Sequence, residues 1–387
     1  MSKTISETLS LDEGGLGRTE IFWRENYHWF LEQGYQLGSR YSPDWTPSWG
    51  NKSVNYMSRE DGVPLFHGVI NDAIHIPTGE QVALKITTTI FPTSEIDIMQ
   101  YLSSEDVSSE PHNNCVKLLD ILYPPGDLQK HMQILVMPLL HTFSAPKFDT
   151  IGEALECFRQ LFYARRWSLI TLQGLRFLHR HHIAHRDLNF QNFMMDWKGM
   201  FPDGFHTQED EWNKTMTGPA RAFTRTQYPR RYFIIDFGMS SRYDPNDKSP
   251  HSEHCLIGGD KTVPEFLRGD EFHDPFKADI YYAGNLIRTE FMQGHPLLDD
   301  ILGYKNFGFM KPLIDDMVHD DPDKRPTMDE VIQRFDALIE GLSQWQLRAR
   351  AAPRGLNIFQ ETGHIISHWG RKIMFLIKKT PAMPNPM

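Results

Sequence analysis

Cysteine is scarce in this chain: three in 387 residues, at Cys115, Cys157 and Cys255, with no C-x-x-C spacing. That argues against a disulfide framework or a zinc site and fits a reducing compartment, so a cytoplasmic or nuclear setting is expected. Basic charge is short as well, with 40 lysines and arginines against 50 acidic residues and a formal charge of −10. Nucleic acid is therefore not expected as a partner. No apolar run reaches the length of a bilayer span, and the first residues are polar, without the apolar stretch of a secretory leader. At 40% hydrophobic the chain can still bury a substantial core, and its length suits a two-lobed unit with short extensions.

What is present is a series of short motifs in a fixed order. Val82-Ala83-Leu84-Lys85-Ile86 reads as a buried strand bearing one lysine, with Thr78-Gly79 as the preceding hairpin turn. His185-Arg186-Asp187-Leu188-Asn189-Phe190-Gln191-Asn192 fits H-R-D-x-x-x-x-N, and Asp236-Phe237-Gly238 follows it. Val263-Pro264-Glu265, Asp279-Ile280-Tyr281-Tyr282-Ala283-Gly284 and the Asp-Lys-Arg-Pro-Thr run ending at Thr327 complete the set. A lone D-F-G is weak evidence; an eight-residue loop in the correct order ahead of it is strong. Over roughly residues 60–340 this order resembles the eukaryotic protein kinase superfamily. Tyr41-Ser42-Pro43-Asp44-Trp45-Thr46-Pro47-Ser48-Trp49, Arg225-Thr226-Gln227-Tyr228-Pro229 and Gly258-Gly259-Asp260-Lys261-Thr262 are similar to the expanded kinase-domain proteins of mushroom-forming fungi.

The resemblance implies an α+β, two-lobed protein kinase-like fold, with a small β-rich N-lobe and a larger helical C-lobe. Residues 1–60 would be an arm packing on the small lobe, 61–140 the small lobe itself, and 141–345 the large lobe. An insertion falls near 197–228, and 346–387 form a tail. The implied ligands are ATP and Mg²⁺. Asp187 would accept the hydroxyl proton, with Asn192 and Asp236 as metal ligands. Lys85 would contact the phosphates, held by Glu95, with Asp97 as the substitute. Gly68 would belong to the phosphate loop, Ile70 and Ala83 would roof the adenine, and Met194 would floor it. Met137 would be the gatekeeper. Because Pro138 has no N–H, adenine recognition would fall to the backbone around Leu139 and Leu140. The counterparts of Glu265 and Arg325 form a buried ion pair in that family, and that of Asp279 braces the catalytic loop. The expected activity is transfer of phosphate to a protein hydroxyl, serine or threonine, by a monomer.

Three departures stand against this pattern. The G-x-G-x-x-G segment falls on Val63-Pro64-Leu65-Phe66-His67-Gly68, where only Gly68 matches. Asn189 replaces the lysine of most serine/threonine kinases, and Gly258 stands where many have a threonine. Losing one electrostatic contact of this kind costs about 10²–10³-fold in rate, which is compatible with a slow kinase. The alternative is a pseudokinase acting as a nucleotide-binding or scaffolding module. Arg186 would order the activation segment through a phosphate on Ser249 or Ser252, or through the charge of Asp247 or Glu253. Forty-four positions separate Asn192 from Asp236, far more than a tight hairpin needs. Helical spacing recurs at Leu155, Phe158, Leu161 and Phe162 and again at Leu169, Leu172, Leu175 and Leu178. Ile365–Lys379 reads as a basic amphipathic helix that docks on its own domain or a partner; membrane contact is not expected of it.

Overall fold

The computed structural model describes residues 15–50, 55–88, 93–110, 113–162, 164–166, 169–171, 174–247, 249–255, 260–294 and 302–386. The chain forms two units. One takes residues 1–92, 116–141 and 197–222; the other takes 93–115, 142–196 and 223–387.

The first unit is built on an antiparallel sheet of β1 (Tyr35–Leu37), β2 (Ile70–His75), β3 (Glu80–Thr88), β4 (Asp120–Leu122) and β5 (Met132–Pro138), ordered β1-β2-β3-β5-β4. The β2–β3 hairpin turns at Thr78-Gly79, where Gly79 takes the left-handed φ of +70°. Alternation along β3 buries Val82 and Leu84 on one face, under Trp23, Phe30, Tyr35 and Leu37. Two short helices, Ile21–Glu25 and Tyr27–Glu32, bring Trp23 and Phe30 together as a stacked pair 5.5 Å apart. The segment after β1 closes around a buried carboxylate. Asp61 accepts the Trp45 indole N–H at 3.0 Å and the Ser48 hydroxyl at 2.6 Å. Its backbone carbonyl takes Arg40, which also pairs with buried Glu20 at 2.8 Å. Trp45 and Ser48 of the Tyr41–Trp49 stretch therefore have a structural purpose.

The second unit is mainly helical. The Ile151–Phe162 helix buries Leu155, Phe158, Leu161 and Phe162 completely, as their spacing predicts. The second leucine stripe is only partly a helix. Leu169 lies in the strand Leu169–Thr171, Leu172 falls outside the described residues, and the helix Leu175–Arg180 begins after Gly174 at φ +64°. A Cβ at Gly174 would sit 2.1 Å from the Leu161 carbonyl, so no other residue fits there. The Pro275–Ile287 helix starts with Asp274 capping the amides of Phe276 and Lys277 and Pro275 in its first turn. It is buried along most of its length, and Asp279 is completely enclosed. Arg325 and Glu265 form a bidentate pair at 2.7 and 2.6 Å, with both side chains buried.

Candidate active site

Two short ladders in the second unit frame the candidate site. Phe193–Met195 pairs with Tyr232–Ile234, and Ile183–Ala184 pairs with Ser241–Arg242. The loop 185–192 and the turn 236–238 each run between one strand of the first ladder and one of the second. Further bonds tie them directly. Asn192 O accepts Ile235 N–H at 2.9 Å, and His185 Nε2 lies 3.0 Å from Ile235 O. His185 therefore packs as a strut, its ring 5.4 Å from that of Phe237.

Arg186 and Asp236 both adopt left-handed φ, +69° and +62°. Such conformations cost of order 1–3 kcal/mol and persist only where surroundings over-determine them. Asp279 supplies that constraint for Arg186: its carboxylate accepts His185 N–H at 2.8 Å, Arg186 N–H at 2.7 Å and the His179 ring at 3.0 Å.

Asp187 is gripped from both sides. Asn189 Nδ2 donates to Oδ1 at 3.0 Å, and Asn192 Nδ2 donates to Oδ2 and to the backbone carbonyl, each at 2.8 Å. Burial pushes the Asp187 carboxyl above its ordinary value. The Asp236 charge adds to this, while His185 and the two asparagines pull the other way. Asn189 acts here on the carboxylate itself, with its own oxygen taken by Gln191 N–H at 2.8 Å. Since both Asn192 bonds to Asp187 use its amide nitrogen, its carbonyl oxygen is turned away from that carboxylate. The Asp236 carboxylate accepts the Gly238 N–H at 3.1 Å on Oδ1; both side chains offer oxygen, the donor type a hard divalent cation takes. Met194 lies on the neighbouring ladder opposite Phe233. Glu95 opens the Glu95–Ser103 helix and is buried, whereas Asp97 is exposed.

In the first unit, cross-strand register places Ile70 opposite Lys85 and Ala83 opposite Met137. Period-2 alternation then puts all four on one face, the face opposite Val82 and Leu84. Leu139 has both backbone groups engaged: its N–H donates to Gln81 O at 3.3 Å, and its C=O accepts the Trp197 indole at 3.1 Å. In the expected phosphate loop, Leu65 N–H reaches Glu20 Oε1 at 3.4 Å and Phe66 N–H reaches Gln208 Oε1 at 3.0 Å. Gly68 is required by packing, since a Cβ there would lie 2.1 Å from the Thr19 side chain. Gly258 lies outside the described residues.

The protein kinase domain family matches residues 66–335. The chain belongs to the protein kinase domain family. Within this kinase domain the activation segment has an internal anchor. The Arg186 guanidinium donates to Met239 O, Ser241 Oγ and His254 O, and lies 3.4 Å from the Glu253 carboxylate. Glu253 also takes the Tyr243 hydroxyl at 2.8 Å, while Ser249 bonds Asp247 at 2.6 Å. Residues Trp197 and Gln208 of the kinase insertion were not found from the sequence, because only the length of that segment carried a signal. Residues 197–222 of the insertion belong to the first unit, where Thr207 donates to Asp72 at 2.7 Å and His206 lies 3.1 Å from Glu60 O. Asp72 stands opposite Ala83, so Thr207 reaches the lysine-bearing face of the sheet. The insertion's last residues fall in the second unit, where buried Arg225 donates to the Tyr232 hydroxyl at 2.9 Å, and Thr226 donates to Glu153 through both N–H and hydroxyl at 2.7 Å.

Proposed function

We propose that this chain is an ATP- and Mg²⁺-dependent protein kinase acting on serine or threonine hydroxyls. The observation that carries the reading is the two-sided grip on Asp187 beside the Asn192 and Asp236 oxygens. Asp187 orients the acceptor hydroxyl and takes its proton as that oxygen attacks the γ-phosphorus and the bond to ADP breaks. Asn189 and Asn192 hold the carboxylate in place. Asn192 and Asp236 would hold Mg²⁺, which when bound neutralises charge on the phosphates. Lys85 meets the phosphates from the face it shares with Ile70, Ala83 and Met137. Because the Leu139 backbone is engaged, the adenine edge falls to the Pro138 carbonyl and the Leu140 N–H, an acceptor and a donor on the opposite side of the extended chain.

The engaged amides of Leu65 and Phe66 favour a second reading, a pseudokinase that binds partners rather than transferring phosphate. Calorimetry with Mg·ATP and radiolabel transfer to a peptide library separate the two. The kinase reading expects Asp236→Ala to weaken Mg·ATP binding and abolish transfer, and Asp187→Asn to keep most binding while losing transfer. Binding without transfer by the wild type selects the pseudokinase. No nucleotide binding at all ends the enzyme reading.

A further inference from the structure

The twenty-residue helix Ile358–Ile377 is docked with its polarity reversed. Its start is fixed by a capping box, Asn357 accepting the amides of Phe359 and Gln360 while Gln360 accepts Asn357 N–H. Its inward side is held by charge. Arg371 binds Asp149 through two bonds, 2.9 and 2.7 Å, His368 lies 3.3 Å from the same carboxylate, and Glu361 pairs with Arg350 and Lys305. Burial alone would raise the Asp149 carboxyl, but His368 and Arg371 bring it down to about 2. Phe375 is the buried apolar anchor.

Opposite these contacts lies an arc of Thr, Gly, Ile, Trp and Leu without one charged residue. Ile366, Trp369, Ile373 and Leu376–Ile377 follow one another at steps of three and four, with Phe359 two turns nearer the start. Phe359 is 86% exposed, Ile366 68% and Ile377 76%. A surface helix of a soluble domain turns its apolar stripe inward; the Asp149 pairs fix this one the other way.

We propose that this helix lies in the plane of an anionic membrane surface, its outward arc at the acyl boundary and its basic end among the headgroups. Charge separates this occupant from others. Residues 358–379 hold four basic residues and one acidic residue; Arg371 is committed to Asp149 and Lys372 is buried. Of these, Lys378 and Lys379 are exposed immediately past the apolar arc. Indoles favour the membrane–water boundary, and Trp369 and Trp345 are both exposed there, with Lys372 Nζ 5.0 and 4.6 Å from their rings. Two copies pairing through this face would set like lysines together if the helices ran parallel, and would set them beside the uncharged Phe359 end of the other helix if antiparallel. An anionic surface neutralises those lysines instead. Among the described residues no helix is long and apolar enough to cross a membrane, so this one lies on the surface.

Flotation of the full chain with phosphatidylserine-containing vesicles, beside phosphatidylcholine alone, tests this. The expected result is salt-sensitive flotation with the anionic vesicles and a blue shift of tryptophan fluorescence. Ile366→Glu with Ile373→Glu should lower binding at least tenfold, and Lys378→Glu with Lys379→Glu should remove the preference for anionic lipid. All four positions are exposed, so an unchanged thermal melt verifies that each variant is folded. Failure to float, or flotation indifferent to Ile366→Glu/Ile373→Glu, overturns the proposal. So does a dimer in sedimentation that the same isoleucine variant dissolves, which would assign the face to a second copy.

Discussion

Asp279→Asn isolates the support beneath the catalytic loop, because it changes charge and hydrogen-bonding capacity at nearly constant volume. Asp279 is completely buried and takes the His185 and Arg186 amides on its two oxygens. Asparagine keeps one acceptor and turns an NH₂ toward the other amide. The loss is one charge-assisted bond, about 1.5–3 kcal/mol, plus a buried N–H without a partner, about 1–3 kcal/mol. A total of roughly 3–5 kcal/mol is expected. For a unit of 150–250 residues that lowers the melting temperature by roughly 6–20 °C. Hydrogen exchange at the His185 and Arg186 amides should accelerate by roughly 10²–10³-fold, beyond what the drop in global stability explains. Asp329→Asn is the control: Asp329 pairs with Arg176 but is 68% exposed, so its effect should stay within about 1 kcal/mol. If Asp279→Asn melts like that control, or if the Arg186 amide keeps its protection, then Asp279 does not hold the strained φ of Arg186.

Glu253→Gln should loosen the activation segment and reduce phosphoryl transfer, while phosphatase treatment of the wild type leaves transfer unchanged; loss of activity on phosphatase treatment would point to a phosphate in place of Glu253. Gln208→Ala should accelerate exchange of the Phe66 amide roughly two- to tenfold, the worth of one neutral hydrogen bond, and unchanged exchange would separate the insertion from that loop. The Asp149 carboxyl falls from an ordinary 3.8 to about 2 in the fold, so its stabilisation, about 2 kcal/mol, is fully present above pH ~4 and disappears as pH drops through ~2. Acid titration of wild type against Asp149→Asn, read as undocking of the Ile358–Ile377 helix, should therefore converge below pH ~2, and a difference persisting there would remove the ion pair as its cause.

The H-R-D-x-x-x-x-N loop was legible because its motif is contiguous: the proposed base, positioning amide and metal ligand fall within eight residues, and local ladders flank them. The strand of Lys85 was legible as a short apolar run bearing one lysine, while its face follows from the pairing with Ile70 and Leu135. Other features are set by partners far away in sequence. Tyr35–Leu37 is too short to show a period, yet it forms the sheet edge by pairing with Ala73–His75. The stripe from Leu169 to Leu178 has helical spacing throughout, but Gly174 interrupts it for a reason found only at the Leu161 carbonyl. The tail helix was recognisable as amphipathic. Which side faces inward was decided by Asp149, more than two hundred positions upstream.

The eroded glycine loop and the long insertion, separate oddities in the sequence, meet at the bond from Phe66 N–H to Gln208. Glycines in such a loop let backbone amides approach phosphate closely. Here the Leu65 and Phe66 amides are given to Glu20 and to Gln208 of the insertion. Amides already bonded have no use for a missing Cβ, so the glycine positions are released for packing: Val63 is buried, and Leu65 packs against the core built on Trp23. The glycine that remains, Gly68, is kept by Thr19. In the proposed reaction, phosphate charge would then rest on Lys85 and on the cation between Asn192 and Asp236. Mg·ATP affinity should accordingly depend more steeply on those three side chains than on any residue from Val63 to Gly68, and a scan of both sets by calorimetry measures that ratio directly.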